Sequence, residues 1–255
     1  MKGILPAKKN LPSRTIEFFP SFFFNPFTIV RVLLTTGMIF FFLQIFAQPG
    51  AEKQEVTGYK KMITERSAKI VNALKITDSA KYNEVLDAIV NQYSRINAID
   101  EQNKTAVADV KKLSRSKEDL DEAVKKEAEK RSFQLVQLHA GFIAHLQKTL
   151  TDDQVEKVKD GMTYGICPIT YAGYLDMLLN LTTKKKEKIY GWLKEARELA
   201  MDEGSSEKKH AVFGKYKGRI NNYLSAAGYD MKKEGEEWQK RIKEREQKKN
   251  STIDK

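Results

Sequence analysis

Aromatic and hydrogen-bonding side chains that suit a sugar ligand are concentrated in two stretches of the second half of the chain. Sugars present C–H faces that pack on aromatic rings, and their hydroxyl groups need paired donors and acceptors. We predict a carbohydrate-binding site that is formed by both stretches. The predicted site residues are Tyr164, Tyr171, Tyr174 and Asp176 in the first stretch, and Lys215, Tyr216, Arg219 and Asn222 in the second.

The second stretch adds a preference for an acidic sugar. Lys215 and Arg219 are four residues apart, so on a helix they project from one face and could hold the carboxylate of a uronic acid. Gly214 and Gly218 are also four apart, at a cost of about 2 kcal/mol relative to two alanines in a helix. They indicate either close packing of another helix, which is the commoner case, or a ligand-facing surface. Trp192, earlier in the chain, similarly fits either a core or a site.

Catalytic chemistry is less well specified than binding. A glycosidase needs two carboxylates across the scissile bond, and a lyase needs a base near a cation, for which His210, Tyr216 and Arg219 are candidates. His139 and His145 are six apart and fall on different helix faces, so they predict no metal pair. We predict no catalytic residue, metal or cofactor, and an enzyme acting on glycans stays an alternative. Spacing selects no pair among the acidic candidates Asp160, Asp176, Glu195, Glu198 and Asp202.

The N-terminus resembles an export signal. Basic residues precede an apolar run over 32–46, and Ala47 follows, a pattern typical of a secretory signal peptide over 1–47. An uncleaved anchor over 22–46 is the alternative, although Pro26 and Arg31 interrupt a run that would need about 20 apolar residues. We therefore predict a periplasmic or extracellular protein with no membrane contact after cleavage. The single cysteine, Cys167, excludes an intramolecular disulfide.

Charge and periodicity define the remaining architecture. The net charge of +11 at pH 7 comes from interspersed acids and bases, typical of solvated helix faces, so no nucleic-acid partner is predicted. Apolar residues at helical spacing predict an all-α, single compact domain of about six to eight helices over 59–246. A flexible start over 48–58 and a frayed tail over 247–255 flank it. The polar stretch 97–116 fits either a turn or part of one long helix.

The break in the helical pattern over 161–174 is the position around which we expect the site to form. Three glycines and Pro168 disfavour a continuing helix, and three tyrosines are unusual for a surface loop. We predict an ordered, tyrosine-lined turn between helices. Thr151 and Gln154 have the spacing of a capping box, which predicts a helix that begins just before this turn.

The region 150–238 resembles the DUF3826 family. The resemblance includes Asp160-Gly161-Met162-Thr163-Tyr164-Gly165, Thr170-Tyr171-Ala172-Gly173-Tyr174-Leu175-Asp176-Met177 and Phe213-Gly214-Lys215-Tyr216-Lys217-Gly218-Arg219-Ile220-Asn221-Asn222-Tyr223-Leu224. It implies an exported protein of Bacteroidota that binds sugar and takes part in the utilisation of plant polysaccharide, especially pectin. The expected partner is therefore an oligosaccharide, with uronic acid as one option.

A shorter resemblance implies a different function. Leu150-Thr151-Asp152-Asp153-Gln154 is similar to a signature of periplasmic stress chaperones of the Spy and CpxP kind. This similarity implies a helical chaperone or scaffold as an alternative to sugar binding. Such a protein would dimerise and present a concave basic surface to unfolded clients.

Overall fold

The computed structural model describes residues 49–114 and 116–253, and the side chains of 58–114 and 116–248. Eight helices and no strand occur in this part of the chain, and residues 48–255 form one compact unit, which confirms the predicted all-α single domain. No helix within the described ranges is long and apolar enough to cross a membrane. The predicted signal peptide lies outside the described residues. The helices are α1 (Pro49–Ala73), α2 (Ser79–Leu113), α3 (Lys117–Thr149), α4 (Asp152–Met162), α5 (Ile166–Met177), α6 (Thr183–Met201), α7 (Ser206–Ala226) and α8 (Met231–Ile253).

The first four helices share one apolar core. Buried residues recur every three or four positions along α2, as at Val85, Ile89, Tyr93 and Ile96, because that spacing puts them on one face of a helix. They pack against α1, α3 and α4. The polar stretch 97–113 continues α2 without a turn, which settles the alternative that the sequence left open.

The last four helices share a second core. Its buried members come from α5, α6 and α7 and from the segment between α5 and α6, and include Cys167, Leu178, Ile189, Phe213 and Ile220. Helix α8 packs on α5 and α7, and α4 packs on α6 and so joins the two cores. At the two ends of the domain, α1 begins at Pro49 and α8 continues to Ile253.

Most of the 161–174 stretch is helical, contrary to the predicted turn. Only residues 163–165 separate α4 from α5. Pro168 lies in the first turn of α5, where a missing backbone N–H leaves no helix hydrogen bond unmade. Tyr164 and Gly165 adopt positive φ angles of 58° and 65°, and the Gly165 amide donates to the Asp160 carbonyl at 2.8 Å. The helical path is therefore interrupted for three residues and resumes in a helix that includes Tyr171 and Tyr174.

Gly161 is required by packing and not by a break in the helix. A Cβ atom at this position would lie 2.9 Å from Cγ1 of Ile70 on α1, so a side chain would push the two helices apart. The predicted capping box is confirmed at the start of α4. The Thr151 hydroxyl accepts from the Gln154 backbone amide, and the Gln154 side chain accepts from the Thr151 backbone amide. These two features fix where α4 begins and how closely it approaches α1.

Candidate functional site

The eight predicted site residues do not share one face. The Tyr164 ring stacks on His210 of α7, with centroids 6.0 Å apart. Arg219 follows His210 by nine positions, which is about 900° of rotation along a helix and therefore the opposite side of α7. Tyr164 and Arg219 consequently lie on different sides of that helix, and the proposed joint site of both stretches is not formed.

Two of the predicted residues hold helices together. Tyr174 is 6% exposed, its hydroxyl donates to Oδ1 of Asn221 at 2.7 Å, and burial raises its pKa to about 12. Asp176 accepts from Nε1 of Trp238 at 2.6 Å and from Arg245 at 2.7 Å. Hydrogen bonds from Arg245 and Trp238 lower the pKa of Asp176 to about 2. The structure thus assigns Tyr174 to the α5–α7 contact and Asp176 to the docking of α8, and we leave both out of the site.

The other two tyrosines of the first stretch occupy separate surfaces. Tyr171 packs on Tyr190 of α6 with ring centroids 4.8 Å apart. Tyr164 lines a cleft of about 490 Å³ between α1 and α4, where the Arg66 guanidinium lies 5.1 Å from the centre of its ring. Neither tyrosine contacts the four predicted residues of the second stretch.

The second stretch does form a surface, together with residues of α6. We call it the α6–α7 surface and define it by Lys188, Trp192, Glu195, Lys215, Tyr216, Arg219, Asn222 and Tyr223. On α6, Lys188, Trp192 and Glu195 share a face because they are three or four positions apart. The Arg219 guanidinium lies 4.6 Å from the centre of the Trp192 ring, and Nζ of Lys188 lies 4.9 Å from it. Trp192 is only partly buried, so it belongs both to the edge of the core and to this surface.

Open space lies beside this surface, along the exposed side of α7. A Cβ atom added to Gly214 or Gly218 would meet nothing within 4 Å. The close helix packing that was the commoner interpretation of these glycines is therefore wrong. Lys215 and Asn222 are exposed on the same side of the helix. A ligand could approach the bare backbone of α7 without displacing another element.

Arg219 is a half-exposed cation of the α6–α7 surface and forms one long ion pair. Its side chain is 53% exposed, and its nearest acid is Glu195, at 3.6 Å, which is longer than a hydrogen bond. Burial raises the pKa of Tyr216 to about 12, and the nearby Glu195 carboxylate adds to this increase. The guanidinium therefore lies over the Trp192 ring, and its exposure leaves room for a further acceptor.

A buried ion cluster joins α4 to α6 and was not anticipated from the sequence. Arg197 is 1% exposed and donates at 2.7 Å to both Asp160 and Glu156. Burial opposes its charge, but hydrogen bonds to these two acids prevail and raise the pKa of Arg197. No local feature of the sequence indicates that Arg197 is buried, since it stands among the other charged residues of α6. Its burial follows only from the packing of α4 against α6.

The cluster continues to α3 through His139. Its imidazole lies 3.0 Å from Oδ1 of Asp202 and 3.4 Å from Oε2 of Glu198. Hydrogen bonds to Asp202 and Glu198 raise the pKa of His139 to about 9. Three acids that were candidates for glycosidase chemistry, Asp160, Glu198 and Asp202, are therefore occupied by ion pairs. Within the described ranges no group of three or more His, Cys, Asp or Glu side chains is arranged to hold a metal ion.

Two members of the α6–α7 surface, Lys188 and Tyr223, were missed by sequence reasoning. Lys188 precedes Trp192 by four positions, so it lies on the same face of α6 as Trp192. Tyr223 follows Arg219 by four positions, so it lies on the same face of α7 as Arg219. The Tyr223 ring meets Trp192 edge to face at 5.2 Å. Helical spacing could have indicated both residues. It selects them as members of one surface only when α6 and α7 are known to pack together.

Comparison with known proteins identifies the family. A family profile described as "Protein of unknown function (DUF3826)" matches residues 60–244, which run from the middle of α1 into α8. No curated protein matches the chain. The matched region contains the α6–α7 surface, the buried ion cluster and the α1–α4 cleft. The chain belongs to the DUF3826 family.

Proposed function

We propose that this protein binds an acidic oligosaccharide on the α6–α7 surface, with Arg219 as the group that takes the uronate carboxylate. The observation that supports this most directly is the position of Arg219: it is stacked on Trp192, half exposed, and without a hydrogen bond to Glu195. A guanidinium is planar and presents two parallel N–H groups, which match the two oxygens of a carboxylate.

The surrounding residues suit the rest of a sugar. Lys188 and Lys215 add positive charge on either side of Arg219, and such a local excess attracts anions from solution. Asn222 offers a donor and an acceptor for hydroxyl groups. Gly218 leaves the adjacent helix backbone open, so a flat ring can lie along α7.

We further propose that the protein acts after export, in the utilisation of plant polysaccharide such as pectin. The N-terminal charge and hydropathy pattern supports export, and uronic acids are the anionic sugars that pectin supplies. The α6–α7 surface favours binding over hydrolysis, because Glu195 is the one carboxylate among its defining residues and glycoside hydrolysis requires two.

Isothermal titration calorimetry with trigalacturonate tests the proposal. We expect saturable binding that weakens about 10- to 100-fold in Arg219→Met, since a hydrogen bond to a charged group is worth about 1.5–3 kcal/mol. Lys217→Met is the matched control: it removes a neighbouring cation of α7 that lies about 200° around the helix from Arg219. Equal loss in both variants would indicate general charge attraction and would contradict a specific site.

Three further measurements separate the alternatives. The fully methyl-esterified trisaccharide lacks the carboxylate, so we expect it to bind no better than the Arg219→Met variant binds trigalacturonate. Chromatography of trigalacturonate and polygalacturonate after long incubation reports any cleavage, which would favour a lyase or hydrolase. Suppression of client aggregation without sugar binding would favour the chaperone alternative.

A further inference from the structure

An open cleft lies between α2 and α3, on other helices than the predicted site residues. It has a volume of about 880 Å³ and is lined by residues between positions 84 and 102 of α2 and between 134 and 145 of α3. The part of α2 that lines the cleft spans 18 residue steps, or about 27 Å of helix. The cleft is therefore an elongated groove, long enough for several linked rings.

The lining of this α2–α3 cleft is unusually rich in carboxamides. Each carboxamide is uncharged and carries both a donor and an acceptor, as a sugar hydroxyl does, so the two kinds of group can pair reciprocally. Acidic and basic side chains are also present, but both signs occur, as in Asp87 and Arg95. The carboxamide residues are Asn91, Gln92, Gln102, Gln134 and Gln137.

Gln92 provides the second, independent observation. It lines the cleft, is 2% exposed, and its Nε2 atom has no hydrogen-bond partner within the protein. A buried amide donor without a partner disfavours the folded state, and such groups are rare in proteins. Replacement of Gln92 by an apolar residue would remove this penalty, so the amide in the wall of a polar groove favours a ligand that supplies an acceptor. Nε2 itself exposes less than 1 Å², so the Gln92 side chain must turn toward the cleft to meet that acceptor.

We propose that the α2–α3 cleft is a second binding site, for an uncharged, hydroxyl-rich ligand of the neutral oligosaccharide class. An anionic sugar is disfavoured because no cluster of cations lines the cleft, in contrast with the α6–α7 surface. A helical peptide is disfavoured because the groove-facing positions Asn91, Arg95 and Gln102 are polar, whereas an amphipathic helix needs an apolar seam. The residues that support this second site lie on α2 and α3, whereas the proposed uronate site lies on α6 and α7. The second site therefore does not depend on the proposed function.

The test is a binding array of neutral and acidic plant oligosaccharides, followed by calorimetry with the neutral ligand that binds best. Gln92→Met removes the carboxamide at nearly constant volume, and we expect at least tenfold weaker binding with an unchanged or higher Tm. Gly141→Leu fills the cleft, since a Cβ at Gly141 meets nothing within 4 Å, and we expect binding to be lost in a folded protein. Gly235→Leu, at an equally open glycine of α8, is the matched control and should bind normally.

The outcomes distinguish this site from the α6–α7 surface. Neutral binding that survives Arg219→Met and disappears in Gly141→Leu supports a second site. The inference is overturned if no neutral oligosaccharide on the array binds, if Gly141→Leu binds as the unmodified protein does, or if Arg219→Met abolishes neutral and acidic binding together. Trigalacturonate binding that persists in Gly141→Leu leaves the proposed function standing whichever way the neutral ligands behave.

Discussion

The stability of this protein should depend on pH through His139. Its pKa rises from 6.5 to about 9 on folding because the imidazolium hydrogen-bonds Asp202 and Glu198. A raised pKa means that the folded state binds the proton more tightly, so the stabilisation is complete below about pH 6.5 and is lost as the pH rises through about 9. At 1.36 kcal/mol per unit, the shift corresponds to at most about 3 kcal/mol. We expect about 2–3 kcal/mol, because the side chain is 20% exposed and water screens part of the interaction.

The measurement is the free energy of unfolding in urea, for the unmodified protein and for His139→Gln, at about pH 6 and about pH 9.5. The comparison with the variant is needed because Lys209 has the opposite effect. Burial lowers the pKa of Lys209 from 10.5 to about 8, so its contribution to stability increases as the pH rises between these values. This contribution is common to both proteins and cancels in their difference.

We expect the stability difference between the two proteins to shrink by about 2–3 kcal/mol from the lower to the higher pH. His145→Gln is the control on the same helix, because His145 is half exposed and only 3.6 Å from Glu84, a surface contact worth at most about 1 kcal/mol. The reasoning is refuted if the difference for His139→Gln stays constant with pH, or if it grows as the pH rises.

Three further predictions concern the packing of the fold. Arg197→Met should lower the free energy of unfolding by about 3 kcal/mol in urea, because it leaves two partly buried acids without their shared partner. Asp176→Asn should release α8, which would be seen as faster limited proteolysis within that helix and a red shift of Trp238 emission. Cys167 is buried, and burial raises its pKa to about 11. Its alkylation by iodoacetamide at about pH 8 should therefore be about 100-fold slower than that of a free thiol.

Each of these three predictions can be contradicted by a specific result, and the first two have a control variant. Lys194→Met removes a half-exposed cation from Glu156, one of the two acids, and should cost less than about 1 kcal/mol, so an equal cost in both variants would contradict the role of burial. Glu237→Gln on α8 should leave the rate of proteolysis unchanged. If Asp176→Asn is cleaved no faster than the unmodified protein, Asp176 does not dock α8. Rapid alkylation of Cys167 in the folded protein would show that it is accessible.

Local features of the fold could be predicted from the sequence. The capping box of Thr151 and Gln154 depends on residues only three positions apart, and the stripe of apolar residues on α2 depends on the period of a single helix. Both were therefore readable without knowing any neighbouring element. The predicted break over 161–174 was too long, since only residues 163–165 lie between α4 and α5. A proline in the first turn of a helix and a proline that ends one have the same local sequence, so Pro168 could not tell the two apart.

The candidate site could be predicted only in part, because it depends on how helices pack. Lys215 and Arg219 share a face by spacing alone, and the structure places them beside each other. Whether Tyr174 faces a ligand or the core depends on where α7 lies, and its hydroxyl proved to be bonded to Asn221. Gln92 is an ordinary polar residue in the sequence, and its buried, unpartnered amide becomes visible only when α3 is packed against α2.

Binding of a uronate on the α6–α7 surface is tested most directly by the indole N–H signals of the two tryptophans in ¹H–¹⁵N spectra. The chain has only Trp192 and Trp238, so Trp238, bonded to Asp176 at the α5–α8 contact, serves as an internal reference. During titration with trigalacturonate we predict that the Trp192 signal moves saturably and the Trp238 signal does not. A Trp192 signal that stays in place while calorimetry reports binding would contradict the α6–α7 surface as the site.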